Sequence, residues 1–131
     1  MDTSKPIIMV VEDDPLLNQA ITKKLEISNL TPLSYTNGQS AIERLLRAEQ
    51  LPDLIWLDYT LTDMDGLAFM SKLKEIKQAA NIPVIVVSSV ENADDVFTML
   101  GFGVKQYIFK TESHLEDIIK SIQEIIADIQ K

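Results

Sequence analysis

Short apolar runs alternate with longer segments of helical periodicity along the whole sequence. The first run, residues 7–11, is apolar throughout, which is typical of a strand that is covered on both faces. The predicted strands are residues 7–11, 31–36, 54–58, 82–89 and 106–109, and the predicted helices are residues 15–27, 37–48, 66–77, 92–103 and 114–131. Strict strand–helix alternation predicts an α/β fold, a doubly wound five-stranded parallel sheet with five helices on its two faces.

The helical segments carry apolar stripes that would pack on this sheet. In the first helix the stripe is Leu16, Leu17, Ala20, Ile21 and Leu25. In the last helix it is Leu115, Ile118, Ile119, Ile122, Ile125, Ile126 and Ile129. We expect the last stripe to dock fully on the sheet. A dimer contact and the start of a connector helix are the alternatives.

Length and composition narrow the class of protein. The 131 residues fit one domain, 1–131, and no linker or repeat divides them. Twelve Lys and Arg against twenty Asp and Glu give a net charge of −8, which disfavours direct binding to nucleic acid or anionic lipid. No cysteine is present, and the first apolar run is too short for a signal peptide or membrane span. We therefore expect a cytoplasmic protein.

Polar side chains follow four of the predicted strands. They are Glu12, Asp13 and Asp14 after the first strand, Asp58 at the end of the third, Ser88 and Ser89 at the end of the fourth, and Lys110 after the fifth. The carboxyl ends of parallel strands meet at one edge, where open α/β sheets bind ligands. Carboxylates suit Mg²⁺, a hydroxyl and a lysine suit phosphoryl oxygens, and one carboxylate is left to act as a nucleophile. The pattern predicts an aspartyl phosphate site.

Each of these residues also has a structural interpretation. Asp14 precedes Pro15, as a helix N-cap does, and Asp63 and Asp65 are better explained as loop and cap residues than as ligands. Either serine alone could cap a helix, Lys110 alone could be solvated, and His114 fits the start of the last helix. The combination at one sheet edge is far more specific than any member.

The chain resembles the receiver domains of two-component response regulators from end to end. The matching stretches are "IMVVEDDPLL", "PDLIWLDYTLTDMDGLAFM", "PVIVVSS" and "GFGVKQYIFK". The resemblance implies a flavodoxin-like sheet with strand order 2-1-3-4-5. It also implies a protein that is not an enzyme beyond its own phosphorylation and dephosphorylation.

The resemblance also assigns roles to residues. It implies that Asp58 is the phosphoacceptor and that Lys110 pairs with the phosphoryl group. The implied Mg²⁺ ligands are Glu12, Asp13, Asp58 and the Thr60 backbone carbonyl. Ser88 is the implied switch hydroxyl, and Tyr107 is the implied switch aromatic residue. The implied partners are a sensor histidine kinase or histidine phosphotransfer protein and a downstream protein target, bound by a monomer or weak dimer. Whether the chain acts alone or belongs to a longer protein stays open.

Three positions depart from the family pattern. Thr62 and Thr111 stand where proline is usual, and Gln106 stands where glycine is common. Because a cis bond before threonine costs about 3–4 kcal/mol, we expect a trans peptide between Lys110 and Thr111, with Thr111 or Ser113 capping the last helix.

Three other functions compete with this hypothesis. "DYTLT" resembles the D-x-T-x-T stretch of haloacid dehalogenase-type phosphatases, although their nucleophile precedes the other acids. A flavin-binding module of the same fold would need a Ser-, Thr- and Gly-rich first loop, whereas this loop is "EDDP". A phosphorylation-independent binding module would not need the complete acid, hydroxyl and lysine set.

Overall fold

The computed structural model describes residues 5–47, 49–89, 92–110 and 113–130. The strands are β1 (Ile7–Val11), β2 (Thr31–Tyr35), β3 (Leu54–Asp58), β4 (Val84–Ser88) and β5 (Gln106–Phe109). The helices are α1 (Pro15–Ile27), α2 (Gly38–Leu46), α3 (Gly66–Glu75), α4 (Ala93–Gly101) and α5 (Leu115–Ile129). Every predicted element is present; β1, α1, β3 and β5 have the predicted ends, and the ends of the others differ by at most two residues.

The five strands form one parallel sheet in the order β2-β1-β3-β4-β5, which confirms the predicted fold and strand order. The register pairs Asp58 with Val87 and Ser88 with Phe109. The last residues of β3, β4 and β5 therefore lie at the same edge.

Two apolar cores cover the two faces of the sheet. Alternate strand residues such as Met9 and Leu57 pack with α2, α3 and α4, whereas Val10 and Trp56 pack with α1 and α5. Because neighbouring residues of a strand point to opposite faces, β1 and β3 must be apolar nearly throughout to supply both cores.

The helix caps confirm part of the sequence interpretation. Asp14 caps α1 by accepting from the backbone N–H groups of Leu16 and Leu17, and Asp65 caps α3 by accepting from that of Ala68. The prediction for Ser113 is wrong, because His114 is the N-cap of α5 and makes no side-chain capping bond. Thr111, and with it the peptide bond after Lys110, lies outside the described residues.

Two apolar stripes are narrower than predicted. Leu17, Ile21 and Leu25 recur every four residues and face the sheet, so Leu16 lies about 100° away around the helix and is 77% exposed. The α5 stripe was expected to dock fully, but it is buried on the sheet only through Ile118, Ile119, Ile122 and Ile126. Its last member, Ile129, is 54% exposed because it lies beyond the edge of the core.

Among the helices that the structure describes, none is long and apolar enough to cross a lipid bilayer.

The first residue of α3, Gly66, has no room for a side chain. A Cβ there would lie 2.9 Å from Cδ2 of Tyr59 and 3.2 Å from Cε of Met99, whereas a Cβ at Gly101 would meet nothing within 4 Å. We expect Gly66→Ala to lower the free energy of unfolding by about 1–3 kcal/mol, because the buried Tyr59 ring cannot move aside. Gly101→Ala is the matched control and should be neutral or slightly stabilising. Urea unfolding measures both, and equal midpoints for the two variants would contradict the predicted clash.

Candidate functional site

The candidate site lies at the carboxyl edge of the sheet. Asp58 ends the fully buried strand β3 and is 5% exposed, and Glu12 follows β1 and is buried as well. Charged side chains are rarely this buried unless other groups compensate them. The position therefore requires partners.

Three carboxylates come together here as the sequence predicted. One oxygen each from Glu12, Asp13 and Asp58 lies within 4.8 Å of the others. The loop after β1 holds this arrangement, since Glu12 Oε2 accepts a hydrogen bond from the Asp14 backbone N–H at 3.1 Å. Asp58 Oδ1 accepts one from the Thr60 backbone N–H at 3.3 Å.

Lys110 supplies positive charge to the cluster. Its Nζ lies 3.2 Å from Glu12 Oε1 and 3.5 Å from Asp58 Oδ1. Burial alone would lower the pKa of Lys110, but the charges of Asp58 and Glu12 outweigh burial and raise it. The lysine is therefore held protonated beside both acids.

The surroundings of Asp58 change the pKa of its carboxyl group. Burial first, and then the charge of Glu12, raises the pKa of the Asp58 carboxyl to about 7, although Lys110 and the Thr60 N–H act in the opposite direction. One lysine is thus insufficient to keep this carboxylate fully ionised near neutral pH.

The donor set fits a hard divalent cation. Three carboxylates and one ammonium group carry a net charge of −2, which Mg²⁺ would neutralise, and oxygen ligands are those that Mg²⁺ prefers. Burial and the charge of Glu12 raise the pKa of Asp58, and a bound cation would offset both effects. For the fourth predicted ligand, the Thr60 carbonyl, the fit stays a prediction.

Ser88 and Tyr107 lie on neighbouring strands beside the cluster. Ser88 is fully buried at the end of β4 and shares a side-chain hydrogen bond with Tyr107. The half-buried Tyr107 ring packs on Tyr59 at 6.2 Å between centroids and on Phe109 at 5.5 Å. Burial raises the pKa of Tyr107, against the effect of the Ser88 bond. The two predicted switch residues are therefore in contact.

Asn18 was not predicted from the sequence. It is buried on α1, and its amide donates to the backbone carbonyls of Glu12 at 3.0 Å and Tyr35 at 3.1 Å, while its own carbonyl accepts from the Ser34 hydroxyl. Asn18 thus fixes the loop that carries two acids of the site. A polar residue next to Leu17 on the apolar face of α1 was the available signal.

Tyr59 is a second residue that the sequence interpretation missed. It follows Asp58 directly, is buried, and approaches Asp95 of α4. Burial first, then the charges of Asp95 and Asp65 and a hydrogen bond with Asp95, raises the pKa of Tyr59 to about 12. Its ring connects the loop after β3 to both α4 and Tyr107.

The loop after Asp58 is tied to α2. Asp63 accepts hydrogen bonds from the backbone N–H groups of Gly38 and Gln39 at the start of that helix, both at 2.9 Å. Asp63 and Asp65 are therefore structural, as predicted. Thr62 is exposed and Gln106 begins β5, so neither unusual residue disturbs the carboxylate cluster.

Comparison with known proteins identifies a family. The profile described as "Response regulator receiver domain" matches residues 8–123. The chain is 32% identical over 123 residues to the nitrate/nitrite response regulator protein NarL of Escherichia coli strain K12, covering 92% of this chain and 54% of that protein. It is 29% identical over 116 residues to the sensor histidine kinase CheAY of Helicobacter pylori, covering 87% of this chain and 14% of that protein.

A solved structure agrees with the fold. The CheY-like response regulator receiver domain protein from Methanospirillum hungatei JF-1 gives a TM-score of 0.85, covering 95% of this chain and 96% of that one. At 19% identity this likeness concerns the fold alone. The chain spans 14% to 54% of the lengths of the two curated relatives described above.

Replacing Asp58 should stabilise the metal-free protein. The folded pKa of about 7 lies above the ordinary value of 3.8, so the folded state keeps a proton that the unfolded state releases, and stability falls as pH rises between these values. In EDTA, Asp58→Asn should raise the free energy of unfolding by about 2 kcal/mol at pH 8, and by less at pH 5.

The control for this prediction is Glu26→Gln on the exposed face of α1, which removes one negative charge far from the cluster. Its effect should stay within about 0.5 kcal/mol at both pH values. A gain from Asp58→Asn that is equal at pH 5 and pH 8 would show that Asp58 does not titrate as described.

Proposed function

Because the chain belongs to the response regulator receiver domain family of two-component signalling, we propose that Asp58 is its phosphoacceptor. The observation that carries this proposal is the buried carboxylate at the end of β3, placed within 3.5 Å of Lys110 and beside Glu12 and Asp13. Asp14, Asp63 and Asp65 accept hydrogen bonds from backbone N–H groups at the start of a helix, whereas the backbone bond that Asp58 accepts, from Thr60, caps no helix.

In the proposed reaction an Asp58 carboxylate oxygen attacks the phosphorus of a phosphohistidine donor. The new P–O bond forms as the P–N bond breaks, and the donor imidazole leaves and takes up a proton from solvent. Lys110 is placed to pair with a phosphoryl oxygen, because its Nζ already lies beside the Asp58 oxygen. Chemistry limited to this one group makes the domain a signalling component rather than an enzyme that turns over a substrate.

We assign Glu12, Asp13 and Asp58, with the Thr60 carbonyl, to a Mg²⁺ site. When bound, Mg²⁺ supplies neutralising charge for the carboxylates and the phosphoryl oxygens. The acids that hold it come from the loop after β1 and from the end of β3, so the ion-binding residues and the nucleophile share one rigid edge.

Ser88 and Tyr107 would convert phosphorylation into a change of surface. Their present hydrogen bond joins β4 to β5. A phosphoryl group on Asp58 would attract the Ser88 hydroxyl, and Tyr107 would then lose its hydrogen bond to Ser88. The Tyr107 ring would change its position against the Tyr59 ring. Such a change is a shift between two existing populations that phosphorylation biases by a few kcal/mol.

The surface that responds is formed by α4, β5 and α5, and we propose that a downstream protein target binds there. Phe97 on α4 is 81% exposed, and it borders a cleft of about 370 Å³ together with Leu100 and Phe109. A sensor histidine kinase or phosphotransfer protein is the proposed donor.

The rival hypotheses lose support from these observations. The profile match identifies a receiver domain and covers the stretch "DYTLT", so the phosphatase alternative is not favoured. The carboxylate cluster at the loop after β1 would repel the phosphate of a flavin.

Acetyl phosphate with Mg²⁺ should add one phosphoryl group to the protein, as measured by intact mass and located by peptide mapping. We expect Asp58→Asn to abolish the addition, and Asp13→Ala or EDTA to reduce it to background. Asp65→Asn, in the same loop but outside the cluster, is the control and should still be labelled. Full labelling of Asp58→Asn would refute the assignment.

Ser88→Ala should separate phosphorylation from its consequence. The variant keeps Asp58 and the acids, so it should still accept a phosphoryl group, but it lacks the hydroxyl that links the site to Tyr107. Amide hydrogen exchange of α4 and β5 should then respond to phosphorylation at least several-fold less than in the wild type. Ser89→Ala changes an exposed neighbouring hydroxyl and serves as the control. An undiminished response in Ser88→Ala would exclude this route.

A further inference from the structure

The buried amide of Asn18 lies on the same side of α1 as the apolar residues Ile21 and Leu25. It is 5% exposed, and a buried amide costs free energy unless hydrogen bonds satisfy its polar atoms. A leucine at this position would continue the apolar side of the helix. Packing alone therefore does not explain an amide here.

Three hydrogen bonds fix the orientation of this amide. Its Nδ2 donates to the backbone carbonyls of Glu12 at 3.0 Å and Tyr35 at 3.1 Å, which uses both of its N–H groups. Its Oδ1 accepts from the hydroxyl of Ser34, a solvent-exposed residue of the edge strand β2. The reverse orientation would place Oδ1 against two carbonyl oxygens, so all three bonds favour the same one.

The carbonyl that Asn18 holds belongs to the peptide unit between Glu12 and Asp13, two of the three acids in the cluster. The other backbone group of Glu12, its N–H, donates to the Tyr35 carbonyl at 3.1 Å. Because a peptide unit is planar, fixing its carbonyl also fixes the backbone from which both acids project. The third acid, Asp58, is held separately by the pairing of β3.

The rigidity of this loop bears on which cation the cluster prefers. Mg²⁺ requires nearly octahedral oxygen ligands at about 2.0–2.1 Å, whereas Ca²⁺ accepts irregular sets of six to eight oxygens at about 2.3–2.6 Å. A loop that could move would adapt to Ca²⁺ at little cost, but it would have to be ordered to satisfy Mg²⁺. Restraining the Glu12–Asp13 peptide therefore favours the smaller ion.

We propose that Asn18 is a positioning residue that raises the preference of the acidic cluster for Mg²⁺ over Ca²⁺, and that Ser34 holds its amide in the required orientation. The inference rests on the proposed Mg²⁺ site and names what sets its selectivity. Asn18 acts through the backbone of the acidic loop and does not itself contact the ion. An exposed hydroxyl on β2 thus influences a buried site beyond β1.

The test uses the full chain without any phosphoryl donor, so that it is independent of phosphorylation. MgCl₂ and CaCl₂ are titrated separately at constant ionic strength, and the amide signals of residues 57–60 are followed in ¹⁵N–¹H spectra. The readout is the ratio of the two dissociation constants. We expect Asn18→Leu to weaken Mg²⁺ binding by at least about tenfold and Ca²⁺ binding by no more than about threefold.

A pair of substitutions at Ser34 tests the orientation of the amide. Ser34→Ala removes the hydroxyl and should lower the preference for Mg²⁺ by about threefold, which corresponds to one ordinary hydrogen bond. Ser34→Thr keeps a hydroxyl and should retain the wild-type ratio. Because Ser34 is exposed, this pair keeps the test valid even if Asn18→Leu does not fold.

Leu25→Ala is the control for a purely structural role. It removes buried packing from the same helix, seven residues after Asn18, and should lower the free energy of unfolding. The ratio of the two dissociation constants should nevertheless stay at the wild-type value. A shift in Leu25→Ala as large as that in Asn18→Leu would attribute the selectivity to general stability and overturn the proposal.

Two further outcomes separate this inference from the function on which it rests. Equal weakening of Mg²⁺ and Ca²⁺ by Asn18→Leu, or identical ratios in Ser34→Ala and Ser34→Thr, would overturn the role of Asn18 or of Ser34 and leave the Mg²⁺ site intact. A wild-type protein whose signals do not respond to Mg²⁺ would overturn the proposed metal site together with this inference.

Discussion

The burial of Asp58 beside two other carboxylates, at one edge of the sheet, is the constraint around which the candidate site is organised. One oxygen each of Glu12, Asp13 and Asp58 lies within 4.8 Å of the others, and burial, followed by the charge of Glu12, raises the pKa of the Asp58 carboxyl, so keeping this acid ionised is costly. Lys110 offsets part of that cost through contacts of 3.2 and 3.5 Å. Asn18 offsets none of the charge, but it anchors the backbone of the acidic loop and so prevents the acids from moving apart.

A sheet buried on both faces is what makes such a cluster possible. β3 is apolar up to Leu57 and then ends on a buried charge, and its neighbours hold it by pairing along both edges. If Asp58 lay in a flexible loop, its carboxylate could move into water and escape burial. A strand fixed on both sides cannot, so the electrostatic cost remains in the folded state.

The sequence predicted the strand–helix order, the strand order through family resemblance, and the acids, hydroxyl and lysine at the strand ends, because these depend on local periodicity and on the geometry of parallel sheets. It did not predict Asn18, whose partners lie in the loop after β1 and at the end of β2, or Tyr59, whose contacts lie on α4 and β5. Both roles arise from packing between distant segments. The exposure of Leu16 and the unpaired Trp56 nitrogen likewise depend on how neighbouring elements meet, which no local pattern contains.

The raised pKa of the buried Asp58 carboxyl also links the chemistry of the site to the conformation of the domain. An acid with a pKa near 7 is partly protonated at neutral pH and is therefore a weak nucleophile. A bound cation would favour the ionised form of Asp58. Phosphorylation would then place additional oxygen atoms beside Asp58 and Lys110. The side chains that could move in response are those in contact with the carboxyl edge of the sheet. Ser88 lies on one side, bonded to Tyr107, and Tyr59 lies on the other, against the same ring and near Asp95. Two routes thus converge on one aromatic side chain beside α4, which explains physically why a change at a buried carboxylate would be felt at that helix.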